Sequence, residues 1–104
     1  MEADIKKLDQ IVSDLASVEM DLMNGFIEFN YDPLMDAMKM GHPCEIMDGI
    51  LSKIYYPTIS GVEPPMETME STLNDLQGFL ENLQIKEMEK PLKELSDYIE
   101  ARKS

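Results

Sequence analysis

The stretch PMETMESTLNDLQGFLENLQ, residues 65–84, decides how the chain is read. Met66, Met69, Leu73, Leu76, Leu80 and Leu83 recur at intervals of 3, 4, 3, 4 and 3 residues. That spacing keeps six apolar side chains on one face of an α-helix and cannot line one face of a strand. Pro64-Pro65 supplies a start, because proline is tolerated in a first helical turn but not in a helix interior. Gly78 inside the stretch weakens the helix by about 1 kcal/mol relative to alanine. It also suggests a point where another helix approaches closely.

Working toward the C-terminus, residues 85–90 read as a turn or a kinked continuation. Pro91 starts or bends a last helix, with Leu92, Leu95 and Ile99 along one face and Tyr98 beside it. Arg102 and Lys103 stand at its end, where cations favour the helix dipole.

Working toward the N-terminus, the segment 57–65 holds three prolines and a glycine and reads as a loop. Before it, residues 43–56 form a helix with Ile46, Met47, Ile50, Leu51 and Ile54 as its apolar face, ended by Tyr55-Tyr56-Pro57. A short helix over 33–40 starts at Asp32-Pro33, a side-chain cap followed by a first-turn proline. It carries Leu34, Met35 and Met38 and stops at Gly41. The first helix spans 3–24. Ile5, Leu8, Val12, Leu15 and Leu22 make its stripe, Ile11 and Val18 widen it, and Asn24-Gly25 ends it. Glu19 interrupts that stripe where an apolar residue is expected. Residues 26–31 alternate like a strand, but no second strand exists to pair with them. They read as a packed connection or a helical continuation, with Phe26 and Phe29 turned inward.

The expected architecture is therefore all-α: one compact domain over 1–104, with four main helices and one short helix in an up-down bundle. Helical halves 3–56 and 65–102 are joined by the Pro-rich loop 57–65.

Composition narrows the function. The chain of 104 residues carries 21 acidic side chains against nine Lys and Arg, a net charge of −12. Residues 1–52 hold a net −8 and residues 53–104 a net −4; between Leu8 and Ile85 the only Lys or Arg residues are Lys39 and Lys53. Such a surface repels phosphate backbones and anionic lipid, so the expectation is no direct nucleic-acid partner and no membrane. No stretch approaches the length of an apolar membrane span and no signal peptide is evident, so cytoplasmic residence is expected. The single cysteine, Cys44, permits no internal disulfide.

The one chemically suggestive cluster is Gly41-His42-Pro43-Cys44-Glu45. If Pro43 opens a helix, Cys44 lies in its first turn, where the dipole favours a thiolate, and His42 stands beside it as a base. A metal would need Asp36, Glu45 or Asp48 as further ligands. Against both readings, no orienting group or oxyanion site is identifiable, and the chain offers two soft or imidazole ligands where structural zinc wants four. No phosphate loop, calcium loop or Glu-x-x-His motif is present, so no cofactor and no enzymatic activity are expected.

The ten methionines point elsewhere. Met20/Met23, Met35/Met38 and Met66/Met69 repeat at i, i+3, and flexible thioethers adapt to varied partners. The functional expectation is a small acidic interaction module, an adaptor or small subunit of a larger complex, binding a basic protein and self-associating as a homodimer. Its expected surface is Met35, Met38, Met47, Met66 and Met69, with Phe26, Phe29, Tyr55 and Tyr56 as anchors. The alternatives are an acidic inhibitor or nucleic-acid mimic that occupies a basic groove, and a thiol- or metal-dependent activity at His42/Cys44.

Overall fold

Apolar periodicity becomes four α-helices in the computed structural model, which describes residues 2–28 and 43–103. They are α1 (Glu2–Met23), α2 (Pro43–Ile59), α3 (Met66–Leu83) and α4 (Glu89–Lys103), with one turn of 3-10 helix at Lys86–Met88 between the last two. Among the described residues there is no strand. The short helix expected over 33–40 lies outside the described residues.

Each helix packs against two others: α1 on α2 and α4, and α3 on the same pair. The molecule is 42 Å long and 23 by 21 Å across, the outline of a bundle of helices side by side. Leu8, Ile11, Val12 and Leu15 of α1 meet Met47, Leu51 and Ile54 of α2, Met69, Leu76 and Leu83 of α3, and Leu92, Leu95 and Ile99 of α4 in one core.

The buried line on α3 is Met69, Thr72, Leu76, Phe79 and Leu83. Leu73 and Leu80, which complete the leucine repeat, pack only at the edge of the core. The face is thus rotated toward Thr72 and Phe79, because α3 must cover α2 on one side and α4 on the other. Gly78 meets nothing within 4 Å of where a Cβ would stand, so it is no point of close helix approach. It faces a shallow groove beside Ile46, Ile50 and Phe79.

Two helix ends share one hydrogen-bond pattern. At the end of α1 the Gly25 N–H donates to the Leu22 carbonyl at 3.3 Å and the Phe26 N–H to the Asp21 carbonyl at 2.8 Å. At the end of α2 the Gly61 N–H donates to Thr58 at 3.0 Å and the Val62 N–H to Pro57 at 2.9 Å. Both are Schellman closures around a left-handed glycine, with φ of 76° at Gly25 and 82° at Gly61. The first closure corrects one expectation: Phe26 is 78% exposed and Ile27 is the residue turned into the core. The residue after the glycine is thrown outward by the chain reversal, and the next one returns. Phe29 lies outside the described residues.

The second closure corrects another. The helix does not stop at Tyr56; it runs through Pro57 to Ile59. Proline removes the single hydrogen bond to the residue four before it, here Lys53, which is exposed. Beyond it, Thr58 is buried and its hydroxyl donates to the Ile54 carbonyl at 2.6 Å. One lost bond is offset by another turn of packing, and the loop shrinks to 60–65.

At the other linker, Gln84 ends α3 in the left-handed region at φ 54°, ψ 45°. Ile85 and Met88 are then fully buried, so this turn is an apolar plug rather than a solvated bend. The C-terminal cations of α4 reach back across the bundle. Arg102 donates to Glu63 side-on through Nε and Nη2, at 2.9 and 2.7 Å, and Lys103 lies 3.4 Å from Glu70. These partly exposed pairs contribute about 0.5 kcal/mol each.

A candidate interaction groove between α1 and α2

The interruption of the α1 stripe by Glu19 is where the site begins. Opposite it on α2 stand Cys44 and Asp48, in the turns that pack against the end of α1. The Cys44 thiol donates to the Glu19 backbone carbonyl at 3.7 Å, which fixes the start of α2 against α1. Next to this contact is a cavity of about 200 Å³, lined by Ala16, Glu19 and Met20 of α1 and by Asp48, Leu51, Ser52, Tyr55 and Tyr56 of α2. The two tyrosine rings meet edge to face, their centroids 5.5 Å apart and their planes at 83°.

Electrostatically the cavity is one-signed. Glu19 Oε1 is shielded from solvent and accepts no hydrogen bond from a described residue. Burial, and then the nearby Asp48 carboxylate, push the Glu19 carboxyl above its ordinary value. Its protonated form is the better accommodated one, so the stability Glu19 contributes is fully present at low pH. That contribution is lost as pH rises from the ordinary value of 4.5 through the raised folded value. Glu19→Gln, which cannot ionise, is therefore expected to raise the melting temperature at neutral pH. The gain should vanish below pH 4.5 when melting curves are recorded across an acid series.

The same charges govern Cys44. The residue is buried, and its thiol is pushed up by burial first, then by Glu19, with Glu45 adding to the rise and its own backbone hydrogen bond opposing it. The thiolate that a first-turn position could favour is opposed here by desolvation and two carboxylates. His42 lies outside the described residues, as does Asp36. Among the described residues no group of three or more His, Cys, Asp or Glu side chains is placed to hold a metal ion.

Met47 and Met69 are fully buried and belong to the core, not to a surface, because each sits at the centre of the face its helix turns inward. Met66 is half-buried at the edge of the core, and Met35 and Met38 lie outside the described residues. Tyr55 is half-buried and Tyr56 is 59% exposed, and both line the cavity.

Among the described residues the exposed large apolar ones are Met20, Met23, Phe26, Tyr56, Ile59 and Val62. They form two runs at i, i+3, i+6, one leading to each Schellman closure. Met20 and Tyr56, one from each run, meet at the cavity. Met20 and Met23 were visible as a pair in the sequence. Ile59 and Val62 were hidden by reading Pro57 as a helix end, and nothing in the sequence paired Glu19 with Asp48.

No family model matches the chain, and neither curated proteins nor solved structures yield a match. No helix among the described residues is long and apolar enough to cross a membrane.

Proposed function

We propose that this chain is a non-catalytic, cytoplasmic interaction module, an adaptor or small subunit, which receives a basic segment of a partner protein along the face shared by α1 and α2. The observation behind this reading is the pair of exposed apolar runs, Met20–Met23–Phe26 and Tyr56–Ile59–Val62, of which Met20 and Tyr56 line the same cavity as two carboxylates. Apolar side chains that a monomer leaves in water are stabilised when a partner covers them. The carboxylates select a partner of positive sign. An antiparallel pairing of α1 and α2 would set Met23 and Ile59 as extensions of the apolar strip beyond either end of the cavity, as an amphipathic helix in a groove requires.

A second copy of the chain is the poorer occupant of this face. It would bring a net charge of −12 and a second Glu19/Asp48 pair against the first. Self-association, if it occurs, belongs to another surface. Mimicry of a nucleic acid has less behind it, since the carboxylates here are interleaved with methionine and tyrosine rather than set in rows.

A photocrosslinking residue at Met23 or at Ile59 should capture one and the same discrete protein in the native cell. The same residue at Lys93, exposed on α4, should not. Equal capture from all three positions, or none from the first two, would remove the α1–α2 face from consideration.

A further inference from the structure

We propose that the cavity between α1 and α2 is a receptor for one cationic side chain, the terminal ammonium of a lysine carried on the partner's basic segment. The inference rests on the interaction reading above and specifies its anchor. Four features of the cavity converge on that chemistry. Its lining includes Glu19, a half-buried carboxylate between the two helices. A second carboxylate, Asp48, lines the same space. Tyr55 and Tyr56 line it too, their rings edge to face, and an ammonium ion is attracted to the face of such a ring. Ala16, Met20 and Leu51 supply apolar contact for an alkyl stem, which a lysine buries while its charge reaches a polar end.

The cavity sets like charges against each other, and a cation removes the conflict. Two carboxylates repel across it, and burial disfavours the charge on the deeper one. A bound ammonium neutralises that repulsion. A neutral ligand of the same shape does not, so the site discriminates by charge. A divalent metal is a poorer fit, since hard cations want six or more oxygens and the cavity offers two carboxylates. No covalent step is involved: the ammonium binds and leaves with its protons.

Butylammonium and 1-butanol are the probes that test this, followed by the Met20 methyl and the Tyr55 and Tyr56 ring resonances. Butylammonium should shift these signals saturably, and 1-butanol should not. Glu19→Gln should weaken butylammonium about tenfold, and Asp48→Asn should weaken it less. Glu19→Gln removes a repulsive buried charge, so its folding is not in jeopardy. Equal response to the alcohol, a linear response without saturation, or an unchanged affinity in Glu19→Gln would each overturn the proposal.

A second arm identifies the source of the ammonium. A short amphipathic peptide of leucine and lysine should bind with perturbation of Met23 and Ile59 as well as the cavity. Tighter binding of the free triamine spermidine than of the peptide would make this a polyamine site and overturn the partner-lysine assignment. Crosslinking at Met23 and Ile59 separates the two levels. A captured partner with an unresponsive cavity sinks the lysine anchor alone, whereas a responsive cavity with no captured partner sinks the module.

Discussion

Met47→Ala and Met69→Ala are each expected to lower the free energy of unfolding by about 3 kcal/mol, read as a fall in the urea midpoint. Both side chains are 0% exposed and sit among leucines and isoleucines of the other helices. Truncation removes their transfer free energy and leaves a cavity that a close-packed interior fills only in part. For a domain of this size such a loss moves the melting temperature by about 15 °C. Met23→Ala, at a side chain 56% exposed, should change stability by less than about 0.5 kcal/mol. Equal effects at the three positions would mean that the methionines are not divided between core and surface as described. The contrast also separates two roles of one residue type: soft filler inside, adaptable contact outside.

Thr72→Val is expected to act in the opposite direction, stabilising the protein by about 1 kcal/mol. Thr72 lies fully buried on the inward face of α3, and its hydroxyl has no hydrogen-bond partner among the described residues. Valine keeps the shape and the branched Cβ, so helix propensity is nearly unchanged, and it removes the stranded polar atom. Thr58 is the internal comparison. It is equally hidden, but its hydroxyl is satisfied by the Ile54 carbonyl, so Thr58→Val should give no such gain. A Thr72→Val protein that melts lower than the parent would show that the hydroxyl is bonded after all.

The helices themselves were legible because their apolar repeats are regular. Leu8, Val12, Leu15, Leu76, Leu92, Leu95 and Ile99 were placed on inward faces from spacing alone, and all are buried. What spacing left open was the rotation of each face. The leucines of α3 set a line through Leu73 and Leu80, but packing between two neighbours centred it on Thr72 and Phe79. Proline was overweighted at Pro57, since one absent hydrogen bond does not end a helix whose next turn is buried. The candidate groove was half-legible. Glu19 stood out as a polar residue in an apolar stripe, and Tyr55 and Tyr56 as aromatic anchors. Their meeting with Asp48 and Met20 depends on how α1 and α2 lie together, a long-range relation that periodicity does not encode.

The two left-handed glycines, Gly25 and Gly61, carry a consequence for how such a surface can change. Each lets its helix stop, and the same reversal sends the residue that follows into solvent. A side chain at either position would strain the backbone whatever space surrounds it. Termination and display are therefore one property held at one residue. A lineage can exchange Phe26 or Val62 freely and so retune what the face recognises. It cannot move the exposed residue along the chain without also relocating the helix end. The partner's preference can drift, but the two points from which it is presented are pinned to the fold.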